Sequence, residues 1–129
     1  ASGVLSIFED LSPLKLWSSW LSERGSLYIF GRFNSKDIDT IIRFRNHYQE
    51  EVENTSWEGG LTSFSIKYVK EYLASIGLKS KFTRFNFPEK LPISDNPIRT
   101  YTVETMDDQK LILNGANILA EHYFLEISH

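Results

Sequence analysis

The chain has 129 residues, 41% of them hydrophobic and 14% aromatic, enough to fill the core of one domain. Its net charge of -3 and its scattered basic residues argue against a nucleic-acid footprint. With no cysteine it has no disulfide frame, thiolate chemistry or cysteine-ligated metal, which fits a cytoplasmic protein. No apolar run approaches the roughly 20 residues that cross a bilayer, and no basic region precedes the apolar start as in a signal peptide. The chain opens abruptly, as though something belonged before it.

Val4 to Phe8 is apolar and reads as the end of a strand or the loop leaving one. Ser12-Pro13 is a helix start, because serine caps and proline suits the first turn. Leu14, Trp17 and Leu21 recur at helical spacing, so a helix is predicted over 13–24, with Gly25 as its left-handed terminator. Ser26 to Asn34 (SLYIFGRFN) is apolar on both faces and predicts a buried strand near 27–30, after which Gly31 eases the turn into a loop. A second helix is predicted over 36–48, capped by Ser35, with Ile38, Ile41, Ile42 and Tyr48 as its buried stripe. Glu50 to Gly60 is polar and reads as a mobile loop, in which Trp57 either meets a ligand or packs on the core.

The third helix, over 65–76, has the fullest set of signals. Ser65 caps it, Phe64 and Val69 form a hydrophobic staple, and Gly77-Leu78 completes a Schellman ending against Leu73. A strand follows over 81–87. Residues 88–97 hold three of the four prolines and form a loop. Arg99 to Leu113 is a hairpin with its turn at Met106 to Gln109, and 121–127 alternates as a last strand. The histidines His47, His122 and His129 lie far apart, so no metal site is expected; His122 reads as structural or solvated. None of the seven glycines builds a dinucleotide or phosphate loop, and there is no G-x-S-x-G elbow.

Ala1 to Leu5, then a helix, then Gly25-Ser26-Leu27-Tyr28-Ile29-Phe30-Gly31-Arg32-Phe33-Asn34, resembles class I S-adenosylmethionine-dependent methyltransferases. Thr62 to Ser65 opening a helix that ends at Gly77-Leu78 looks like that family's last helix. The strands near 81–87 and Tyr123 look like its sixth and its reversed seventh. The resemblance covers most of the chain but only the C-terminal half of the family's fold. It implies an α/β class: a partial Rossmann-like methyltransferase sheet of parallel strands with a reversed C-terminal strand and flanking helices. Residues 1–129 would then be a single domain, the C-terminal portion of a methyltransferase-like domain.

The family's glycine-rich cofactor loop and ribose-binding carboxylate would precede Ala1. S-adenosylmethionine is therefore the cofactor that the resemblance implies, with none expected on this chain alone and no activity expected from it alone. A sheet cut at its fourth strand exposes an edge, which predicts a homodimer through 1–8 and the helix carrying Trp17 and Trp20. Crevices form beyond the carboxyl ends of parallel strands, so the unknown methyl acceptor is expected at Ser2, Arg32, Asn34 and Trp57. Arg32 can hold an anionic group in bidentate fashion or pair with a surface carboxylate, and no general base stands out. The rival readings are a stand-alone α/β binding or protein-interaction module, and a small enzyme unrelated to methyl transfer.

Overall fold

The computed structural model describes residues 3–129. Two α-helices, α1 (Ser12–Ser18) and α2 (Ile66–Ser75), accompany seven strands: β1 (Ser26–Asn34), β2 (Phe64–Ser65), β3 (Lys79–Phe85), β4 (Tyr101–Glu104), β5 (Lys110–Leu113), β6 (Leu119–Ala120) and β7 (His122–Ser128). They form a four-stranded sheet in the order β2-β1-β7-β3 and a three-stranded sheet β4-β5-β6. β7 is antiparallel to both β1 and β3, so those two run in the same direction with β7 reversed between them. The parallel pairing of β1 with β2 extends over two residue pairs, Phe33–Phe64 and Asn34–Ser65.

This corrects the expected fold class. The expected parallel, Rossmann-like sheet with helices flanking it is absent among the described residues; strand outweighs helix, in two sheets of mixed and antiparallel pairing. The reason lies in the second face of β1. Burial along β1 alternates, with Ile29 and Phe33 at 0% and 1% exposure facing the core. Leu14 of α1, Val69 and Leu73 of α2, and Leu125 and Ile127 of β7 pack on that same face. The opposite face carries Tyr28, Phe30 and Arg32 and is met in part by the small sheet rather than by either helix among the described residues. Its apolar residues form an aromatic cluster instead: Phe30 lies 4.9 Å from Phe124 and 5.2 Å from Phe85, centroid to centroid. A strand apolar on both faces is what a doubly covered parallel strand also looks like.

α2 forms as its local signals dictate. Ser65 Oγ accepts from Tyr68 N at 3.1 Å, and Phe64 and Val69 are both in the core. At the other end Gly77, at φ +80°, donates to Ala74 O, and Leu78 N donates to Leu73 O at 2.9 Å: the full Schellman pattern. Gly77→Ala forces a Cβ into the left-handed region and is expected to cost about 1 kcal/mol. A urea midpoint that did not fall would show that the turn relaxes freely.

Two helical expectations fail. α1 stops at Ser18, short of the expected 24: Ser19 Oγ donates to Leu16 O, and Trp20 is 73% exposed, so a longer helix gains no burial. Gly25 is not left-handed and does not cap it. The helix expected over 36–48 is irregular chain with isolated bridges at Thr40–Ser63 and Phe44–Glu58. Asn34 takes the groups a helix start would use, its Oδ1 accepting from Lys36 N and its Nδ2 donating to Ile38 O. The β-branched Ile38, Thr40, Ile41 and Ile42 add no helical preference, and Ile38 and Ile41 are exposed rather than buried. Residues 4–7 form a 3₁₀ turn rather than a strand end, tied to β1 by Gly3 N donating to Phe30 O.

Candidate functional site

A cavity of about 380 Å³ opens at the carboxyl end of β1. Its floor is the face of the large sheet opposite the main core, with Phe30 and Arg32 from β1 and His122 from β7. Ile112 and Ala120 of the small sheet form the facing wall, with Asn114 in the β5–β6 turn. Arg32 and His122 are direct cross-strand neighbours, which places a guanidinium beside an imidazole. The next position across is Phe85 on β3, and Phe30 and Phe87 stack around the His122 ring at 5.5 and 5.2 Å.

Arg32 is half-buried and donates from Nη2 to Gly60 O at 3.2 Å. Among the described residues the ion pairs are Arg43–Glu9, Lys67–Asp37, Arg84–Glu121 and Lys90–Glu104, and Arg32 belongs to none of them. Burial lowers its pKa from the ordinary value, but a guanidinium stays charged at any physiological pH. His122 is pushed down to about 4, first by burial and then by the charge of Arg32. Its Nδ1 is buried with no hydrogen-bond partner among the described residues. At neutral pH the site therefore holds one positive charge and one neutral imidazole. An imidazole so hard to protonate is a poor general base and serves better as a neutral hydrogen-bonding surface.

Just outside the cavity, Glu121 anchors the start of β7. Burial pushes its carboxyl up, but hydrogen bonds from Ser35 N and Oγ and the charge of Arg84 outweigh that and hold it below the usual range. Glu121 is thus committed and is not a counter-ion for Arg32.

Of the residues expected at the site, Arg32 alone is found in this cavity. Asn34 is turned to its own loop, as described above, and borders a smaller hollow. Trp57 is neither in the core nor in the cavity wall: it is 66% exposed, with the Arg45 guanidinium 4.9 Å above its ring. Ser2 lies outside the described residues. Gly31 does not end the strand; β1 runs on to Asn34. His122 and Asn114, which complete the site, were not legible as such. The one available signal was parity, since His122 alternates with the core residues Tyr123, Leu125 and Ile127. No group of three or more histidine, aspartate or glutamate side chains is placed to hold a metal among the described residues.

Gly115 lies outside the cavity, next in sequence to Asn114 of its wall. Its N donates to Pro97 O at 2.6 Å, and a Cβ there would lie 2.5 Å from that same oxygen. Gly115→Ala must push Pro97 and the adjoining Ile98 away from Asn114, at a cost of roughly 1–2 kcal/mol. Thermal melting checks this; an unchanged midpoint would show that the loop yields without loss.

A scan against protein-family models, a search of curated proteins and a search of solved structures each returned no match to this chain.

Proposed function

We propose that this chain is the acceptor-side portion of an S-adenosylmethionine-dependent methyltransferase, inactive by itself and cytoplasmic, with its methyl acceptor seated in the cavity at the end of β1. The observation that carries the reading is the cavity itself: it lies over the carboxyl-terminal half of β1, is largely apolar-walled, and holds one cation, Arg32, with no carboxylate partner among the described residues. The sheet is mixed, so the reading stands on the site and not on a fold class.

Methyl transfer needs the acceptor atom and the methyl carbon in line and close. The residues here orient an acceptor and exclude water from one side of it. No glycine-rich loop or ribose-binding carboxylate can be assigned in the sequence, so the chain does not fit the cofactor and no step is derived through it. Titrating the chain with S-adenosylmethionine in a calorimeter is expected to show no saturable binding. The natural polypeptide that carries these residues, given methyl-labelled S-adenosylmethionine and a small-molecule extract, is expected to label a small acceptor. Failure to label any acceptor would remove the reading.

A second reading, a protein-interaction module, has one observation in its favour. Tyr28 and Phe124 are 57% and 44% exposed on the uncovered face of the large sheet. Trp20 adds apolar surface at the end of α1, where a homodimer would form. Light scattering at high concentration decides this: a strict monomer counts against the module, while a dimer without methyl transfer favours it. No helix among the described residues is long and apolar enough to cross a membrane.

A further inference from the structure

The geometry points to a small apolar monocarboxylate as the ligand of the β1 cavity, its carboxylate on Arg32 and its body between Phe30 and the Ile98–Ile112 wall. The inference rests on the methyltransferase reading only in calling this ligand the acceptor; the binding it asserts does not need that reading.

Charge is the first argument. A cation out of water is costly unless it is paired, and buried charges are normally paired. The half-buried Arg84 shows the rule, holding the carboxylate of Glu121. Arg32 is half-buried, like Arg84, and among the described residues its side chain has one hydrogen-bond partner, the carbonyl of Gly60. One carbonyl leaves most of the five guanidinium donors available in a fixed planar array, which matches the two oxygens of a carboxylate.

Charge count is the second. Arg32 is the one fixed cation in the cavity wall among the described residues, and no carboxylate lines it. His122, neutral at pH 7, adds nothing. A single positive charge balances a monoanion. A phosphate dianion would bring a second negative charge into an apolar cavity with nothing to meet it.

The walls are the third argument. Phe30, Leu61, Ile98, Ile112, Ile118 and Ala120 leave little for a sugar or a polar chain to bond. Asn114, His122 and Thr100 place a few polar groups among them, the usual balance of a small-molecule site.

The test uses this chain near neutral pH with three probes: 3-phenylpropionate, its amide, and inorganic phosphate. Saturable binding of the acid is expected, with the amide about 10-fold weaker or more because it loses the charged fork. Phosphate is expected not to displace the acid. Arg32→Gln should lose acid binding by a similar factor, whereas Arg45→Gln, on the Trp57 stack outside the cavity, should keep it. Equal affinity for acid and amide, displacement by phosphate, or no saturation at millimolar acid would each overturn the inference. If Arg32→Gln does not fold, Arg32→Lys keeps the charge without the fork, and the acid-amide comparison on the unaltered chain still decides. Acid binding without methyl transfer by the natural polypeptide keeps this site and removes the enzyme reading. Methyl transfer that ignores both the acid and Arg32→Gln keeps the enzyme and removes this site.

Discussion

Replacing Phe33 with alanine is expected to destabilise the chain by about 3–5 kcal/mol, the range for emptying a large aromatic site in a packed core. Phe33 is 1% exposed and sits where three elements meet. Its backbone pairs with Phe64 of β2, its ring meets Phe82 of β3 edge-on at 5.1 Å, and its own N donates to Glu121 O. Collapse around the void is limited, because β1 is fixed on one side by the register with β7 and on the other by β2. A domain of this size has a total stability of about 5–15 kcal/mol, so the variant stands near the unfolding threshold. Phe124→Ala makes the matched control. Phe124 lies on the uncovered face at 44% exposure, and its loss is expected to cost about 1 kcal/mol or less beyond its aromatic contacts. Urea denaturation of both variants checks the one-sided core. Similar losses at the two positions would mean that both faces of the large sheet are packed.

What the sequence made legible is what is local. Ser65, Gly77 and Leu78 act within a few residues of their partners, so both ends of α2 can be read without knowing the fold. The β4–β5 hairpin is local in the same sense: Asp108 at φ 56° closes a turn in which Thr105 and Gln109 bond, and aspartate tolerates that conformation. Strand direction is not local. Ser26 pairs with Ser128 and Arg32 with His122, across some hundred residues of chain, and nothing in either segment says which way its partner runs. From sequence alone a mixed sheet therefore looks the same as a parallel one.

The site divides along the same line. Arg32 could be reached from its place at the end of a strand. His122 and Asn114 needed the β1–β7 register and the fold of the small sheet over it. Trp57 misled because a loop position does not fix where a side chain points, and it lies against Arg45; Asn34, the last residue of β1, is spent on the turn that follows it. The isoleucine spacing over 38–42 misled in another way. Helical period is compatible with an irregular chain whenever β-branched residues and a competing asparagine weaken the helix.

Stability is expected to fall as the pH drops from about 6.5 to about 4 through His122 alone. The ring is at about 4 in the folded chain, against 6.5 for an ordinary histidine. Between those values the unfolded chain takes up a proton that the folded chain refuses, so unfolding is favoured by acid across that window. Above 6.5 both states are neutral, and below about 4 both are charged; neither range adds slope from this group. The full difference corresponds to about 3 kcal/mol, and solvent screening of a half-buried ring brings the expected loss to roughly 1–3 kcal/mol. The charged and titratable surroundings are few. Arg32 faces the ring from β1, β3 offers Phe85, and Glu121 beside it in sequence is held by Ser35 and Arg84. Glu121 loses its own contribution in a more acidic window, because its pKa is lowered and its stabilisation disappears only as it is protonated. His122→Gln separates the two, flattening the profile between about 4 and 6.5 while leaving the more acidic loss in place. Urea midpoints measured across this range for both proteins give the comparison. Parallel profiles would show that His122 protonates freely and that the cavity around Arg32 is open to water.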